Sequence, residues 1–156
     1  MNLLNRTRDP NFHFAEDRLQ QISSGILQAE ATSAEEFSLI FVRPAEIKKL
    51  NNDFRQLNEV TDVLSFPSDG EIDPETGNPY LGDVIICAAQ AATQAEQSGH
   101  PLQNEIELLL IHGLLHLLDY DHDTDERKEL MWEKQRQYLT ANQIELGRTP
   151  GDETHE

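Results

Sequence analysis

Three histidines, His112, His116 and His122, fall within the eleven residues "HGLLHLLDYDH", at the end of a long apolar run. On a helix, residues four apart lie roughly 40° apart on one face, so His112 and His116 can address one ion. His122 follows six residues after His116, which is enough chain to leave the helix and return with a third nitrogen. Three neutral nitrogens without a thiolate suit a single zinc ion and leave a fourth tetrahedral place for water, an arrangement for catalysis rather than scaffolding. As satisfied core residues, the three would each need a separate buried partner, whereas one shared metal serves them all. His13, His100 and His155 have no such spacing and read as ordinary surface residues.

Two known motifs can be compared with this block. Asp119, Asp121 and Asp123 occupy the first, third and fifth places of an EF-hand loop, but the sixth place needs Gly and has Thr124, and the twelfth needs Glu and has Leu130. The histidine spacing is that of the metzincin peptidases, H-E-x-x-H-x-x-G-x-x-H. Here Gly113 replaces the glutamate and Asp119 replaces the turn glycine. Aspartate tolerates a left-handed backbone, so the turn survives. Loss of the glutamate removes the proton acceptor of peptidase chemistry. Asp121 and Asp123 flank His122 and are candidates to hold its ring, with solvation of a charged turn as the plainer role. Ser65 is placed to approach the site from the end of its strand, although a strand serine is more often structural.

The elements that must position these residues follow from periodicity. Apolar Leu19, Ile22, Ile26 and Leu27 share one helical face in a first helix predicted over 11–30. "FSLIFV" (37–42), "VLSFP" (63–67) and "YLGDVIIC" (80–87) read as strands, with "NLL" near the start as a fourth. A short helix begins at Pro44, where a missing amide costs little, and 68–79 is polar with Pro and Gly and reads as a loop. Three further helices follow: one ending at Gly99, the apolar one carrying His112, and a charged last helix with Leu130, Met131, Trp132 and Leu139 as its apolar side. The expected fold is α+β, a small mixed sheet packed against about five helices. The His112 helix is central, because an element apolar nearly all round must be surrounded. Residues 1–146 form a single catalytic domain, and 147–156 are an acidic tail expected to be disordered.

Composition narrows the function classes. The chain has 156 residues, near the commonest size for one domain. Its longest apolar run carries Glu107, His112 and His116, and its first residues lack the apolar centre of a signal peptide, so a cytoplasmic protein without a membrane segment is expected. Cys87 is the only cysteine, which excludes an internal disulfide and a thiolate metal cluster. The formal charge of -17, from 12 basic and 29 acidic residues, repels nucleic acid at long range and argues against a non-specific coat protein, though not against one small positive site within a cleft.

"HGLLHLLDYDH", with "LNNDFRQLNEVTDVLSFP" (50–67) and "LGDVIIC" (81–87), resembles the bacterial endoribonuclease YbeY family of metal-dependent rRNA maturation factors. The resemblance covers most of the chain from about Phe37 to His122. It implies a zincin-like fold, one zinc ion on His112, His116 and His122, and a functional arginine at Arg55. It further implies single-stranded RNA as substrate, chiefly the 3′ end of small-subunit rRNA, with the small ribosomal subunit and its assembly factors as partners, and neither DNA nor membrane. The chain departs from the family at Leu57-Asn58 and Val60, where Lys-Asp and Pro are usual, and at Asp119, where Gly is usual. A guanidinium at position 55 suits this chemistry, since its fork of donors matches two phosphate oxygens on which charge builds during cleavage. Arg43, Lys48 and Lys49 would extend a positive patch, while Glu46, Asp53 and Glu59 offer the alternative of a surface ion pair. Two other functions compete: hydrolysis of peptides or another small substrate, which Gly113 opposes, and a non-catalytic zinc-stabilised module that docks on a ribosomal subunit.

Overall fold

The computed structural model describes residues 1–32, 36–69, 72 and 74–147. Within them the elements run β1 (Asn2–Asn5), α1 (Glu16–Ala29), β2 (Glu36–Val42), α2 (Pro44–Arg55), β3 (Val63–Pro67), β4 (Tyr80–Cys87), α3 (Ala88–Ser98), α4 (Leu102–Leu117) and α5 (Asp125–Ala141). The sheet order is β1-β2-β4-β3. β1, β2 and β4 are parallel, whereas β3 returns antiparallel on β4, with Ser65 opposite Val84. This is the mixed sheet and five-helix α+β architecture expected, and the "NLL" block does supply its fourth strand.

Strand side chains alternate between faces, and the core divides accordingly. Phe37, Leu39, Phe41, Val63, Val84 and Ile86 face a large core shared with α1, α4 and α5. Ile40, Val42, Leu64, Ile85 and Cys87 face the other way, where Ile47 and Leu50 of α2 cover them. The central helix is α4: twelve of its residues, including His112, are buried, and it packs on β3, β4, α1, α3 and α5.

Some boundaries differ from expectation. The first helix begins at Glu16 rather than at 11, because Phe12 and Phe14 leave the helical path to pack on Phe41, with ring centroids 5.0 and 4.7 Å away. Leu130 is 49% exposed and not part of the apolar side of α5, whereas Met131 and Leu139 are buried as expected and Tyr138 joins them. α3 ends at Gly99 as predicted, with that glycine in the left-handed conformation (φ 75°). Thr124, in the EF-hand's glycine place, is the N-cap of α5, its hydroxyl accepting from the Arg127 N–H at 3.2 Å. Gly147, placed in the tail by sequence, donates its N–H to His100 Nδ1 at 2.8 Å. The rest of that predicted tail, 148–156, lies outside the described residues.

Candidate metal centre

α4 delivers His112 and His116 from its last two turns and then stops abruptly. The Tyr120 N–H reaches the Leu115 carbonyl at 3.0 Å and the Asp119 N–H reaches the His116 carbonyl at 3.1 Å, with Asp119 left-handed at φ 73°. This pair of bonds is a Schellman ending, normally built on glycine and here on one of the few residues that tolerate the conformation. The turn reverses the chain and returns His122 to the helix. Arg127 braces it, donating to the Asp119 carbonyl and to the Asp123 carboxylate, each at 3.0 Å. Behind it, Tyr120 donates to Glu30 Oε1 at 2.5 Å, and Tyr138 and Lys134 engage the same carboxylate. Burial alone would raise the Glu30 carboxyl, but the hydrogen bonds from Tyr120 and Tyr138 and the Lys134 charge outweigh it and hold its pKa below the usual range. Burial, with that hydrogen bond and charge, pushes the Tyr120 phenol up to about 12.

One ring nitrogen from each of His112, His116 and His122 lies within 4.8 Å of the others, a group that can hold a metal ion. His112 Nε2 and His116 Nε2 are 3.2 Å apart, close to the separation of about 3.3 Å between two nitrogens on one tetrahedral zinc. His122 Nε2 is buried with no hydrogen-bond partner, a state that is costly unless something else satisfies it. The donor set therefore fits a metal with a preference for imidazole.

The tautomer of His112 is set from α5. Its Nδ1 is 2.9 Å from Gln135 Oε1; an amide oxygen only accepts, so Nδ1 carries the proton and Nε2 keeps a lone pair for the metal. Trp132, one turn earlier on α5, packs on His112 and His122 with centroids 5.6 and 5.8 Å away. Sequence reasoning missed both residues, since neither lies in a motif and α5 reads as a charged surface helix. Asp121 accepts from the His122 backbone N–H at 2.7 Å and lies 3.9 Å from His116 Nδ1, while Asp123 is paired with Arg127. Neither carboxylate engages the His122 ring; both serve the charged turn, the plainer of the two roles expected for them. His100 is not a surface residue: its side chain is 4% exposed and its Nε2 meets Glu105 at 2.7 Å. His13 is exposed as expected, and His155 lies outside the described residues.

The position after His112 has no room for a side chain. A Cβ on Gly113 would lie 2.6 Å from Val84 Cγ1 and 3.2 Å from Ser65 Oγ, and the Ser65 hydroxyl donates to the Gly113 carbonyl at 3.0 Å. The peptidase glutamate is thus excluded by the close approach of α4 to the sheet.

A cleft of ≈ 250 Å³ opens at the histidines, lined by Arg55, Ser65, Pro67, His116, Asp119, Tyr120, Asp121 and His122. Arg55 ends α2, so it reaches the site from the opposite layer around the edge strand β3. The supposed basic patch does not gather there. Arg43 sits at the other end of α2, about 18 Å away along a 12-residue rise, and Lys49 pairs with Asp53 at 2.7 Å. Glu46, a suggested partner for Arg55, is instead 2.9 Å from Arg6. A larger cavity of ≈ 700 Å³ lies beside α1, lined by Ser23, Gln28 and Glu36 among others, but among the described residues it brings together no comparable set of metal-ligating groups.

An α+β fold with a three-histidine cluster, two of whose members line a cleft, is the arrangement of a metal-dependent hydrolase. The sequence pattern of the family described as Endoribonuclease YbeY matches residues 3–143. The chain is 38% identical over 149 residues to the Endoribonuclease YbeY of Bacillus licheniformis, covering 89% of this chain and 94% of that one. It is 44% identical over 107 residues to that of Phytoplasma australiense, covering 69% and 74%. The solution structure of TM1509 from Thermotoga maritima superposes with a TM-score of 0.58 at 26% identity, covering 90% of this chain and 87% of that one. The chain belongs to the endoribonuclease YbeY family. Among the described residues, no helix is long and apolar enough to cross a membrane.

Proposed function

We propose that the chain is a zinc-dependent, single-strand-specific endoribonuclease that matures the 3′ end of small-subunit rRNA and serves ribosome quality control in the cytoplasm. The observation that carries this is the convergence of Arg55 with His116 and His122 on one cleft from opposite sides of the sheet. His112, His116 and His122 would hold one zinc ion, which when bound supplies Lewis acidity and a water of lowered pKa. Arg55, acting as the catalytic cation, would bind two phosphate oxygens through its fork and stabilise the charge that builds on them. Gln135 orients His112. The carboxylates that line the cleft are Asp119 and Asp121; either one takes the proton from the attacking water, or the 2′-hydroxyl of the RNA is the nucleophile. A 2′,3′-cyclic phosphate product would select the second route. The small ribosomal subunit and its assembly factors would present the strand, which suits a chain whose charge of -17 weakens the long-range attraction of free RNA.

The test is cleavage of a labelled single-stranded RNA by the wild-type and His116→Ala proteins, purified identically. Loss of cleavage in the variant, with its circular dichroism unchanged, supports the assignment. Equal cleavage by both would assign the activity to a contaminant, and chelation that unfolds the protein rather than silencing it would favour the structural-zinc module.

A further inference from the structure

Among the described residues the most exposed phenylalanine ring belongs to Phe54, the neighbour of Arg55 at the end of α2. Phe54 is 65% exposed, with Leu57 and Val60 at 39% close behind it in sequence. A single exposed apolar residue is ordinary, but Phe54 is also held in place. Its ring rests on Phe66 with centroids 5.1 Å apart and planes inclined at 59°. Both rings are sequence neighbours of residues that line the cleft: Arg55 follows Phe54, and Ser65 and Pro67 flank Phe66. Strand alternation turns Ser65 toward α4 and Phe66 toward α2. The two rings thus form a braced apolar shelf on the α2 side of the edge strand, the side from which Arg55 enters the cleft.

The size and charge of the site say what such a shelf is for. A cleft of ≈ 250 Å³ is smaller than the roughly 300–1,000 Å³ of ligand pockets. It takes a phosphodiester and leaves the flanking nucleotides outside, on the rim. A charge of -17 disfavours holding those nucleotides by their phosphates. Stacking on a base requires no charge and tolerates every sequence, because each base has a π-face.

We propose that Phe54, braced by Phe66, is a nucleobase-stacking subsite that holds one base of single-stranded RNA next to the phosphodiester at Arg55. This rests on the endoribonuclease function proposed above and adds a base-binding position to it. Binding of a labelled single-stranded oligoribonucleotide, read by stopped-flow anisotropy before the first turnover, tests it with wild-type, Phe54→Leu and Phe54→Tyr proteins. Replacing the ring by Leu keeps apolar bulk and removes the π-face, and weakens binding at least about 5-fold, the lower end of what truncating a stacked ring to alanine costs. Phe54→Tyr retains binding. In an oligonucleotide series with one abasic site moved along the strand, a single position weakens the wild type, and at that position Phe54→Leu adds no further loss.

Unchanged RNA binding by Phe54→Leu, or the same added loss at every abasic position, would overturn the stacking subsite. RNA binding intact while small-subunit binding is lost would overturn it too, and would assign the shelf to a protein partner. If the wild type itself neither binds nor cleaves RNA, the endoribonuclease assignment falls and the subsite with it; binding by the wild type with an indifferent variant removes the subsite alone.

Discussion

Gln135→Leu is expected to weaken zinc binding by about 10- to 100-fold with little change in the fold. His112 and Gln135 are both fully buried, and the 2.9 Å contact from Nδ1 to Oε1 leaves Nε2 free of a proton. Leucine keeps the volume and removes the acceptor. The imidazole then either buries an unpaired N–H, at about 1–3 kcal/mol, or moves its proton to Nε2 and ceases to be a ligand. The loss typical of removing a hydrogen-bond partner of a metal-ligating histidine is 10–100-fold, about 1.4–2.7 kcal/mol at 1.36 kcal/mol per decade, so the two routes agree. Gln135→Glu restores an acceptor and breaks no bond of the amide nitrogen, which has no partner; it should retain most of the affinity. Competition with a chromophoric chelator at neutral pH measures all three proteins, and thermal unfolding in excess chelator reports the metal-free fold. Zinc affinity of Gln135→Leu within about twofold of wild type, or an equal loss in Gln135→Glu, would refute the assignment of the tautomer.

Other perturbations probe the frame around the metal. Gly113→Ala should destabilise the protein by up to about 2 kcal/mol, since overpacking against the buried Val84 costs about 1–3 kcal/mol and helix propensity returns about 1; a higher urea midpoint would mean that the sheet yields. Asp119→Val should cost about 1–2 kcal/mol, because a β-branched residue resists the left-handed turn, whereas Asp119→Gly should be tolerated; equal midpoints for the two would remove the Schellman turn as the cause. Glu30 has its folded pKa lowered, so its contribution is complete above the ordinary glutamate value of about 4.3 and is lost as pH falls through the lowered one. Glu30→Gln should therefore flatten the acid limb of stability against pH, and an unchanged limb would place that pH dependence elsewhere. Zinc at a hundred times its dissociation constant should add about 2.7 kcal/mol to unfolding, and no stabilisation by zinc would count against the triad as its site.

Much of the site was legible in the sequence because its determinants are local. Helix geometry alone places His112 beside His116, and the tolerance of aspartate for positive φ allowed the turn at Asp119, which the structure has at φ 73°. Strand alternation and apolar runs marked all four strands, and the unbroken apolar character of α4 marked it as central. What sequence left undecided depends on contacts between elements distant in the chain. The 23 residues that separate His112 from Gln135 carry no periodic signal that joins them, so the partner that sets the tautomer appears only when α5 packs on α4. Gly113 read simply as a missing base until the sheet was seen 2.6 Å from its absent Cβ. His100 read as surface, yet the docking of α3 on α4 buries it against Glu105. Local chain geometry obeys short-range sterics that each residue type carries with it, whereas burial and hydrogen-bond partnership are set by which surfaces meet, and only the tertiary structure decided those.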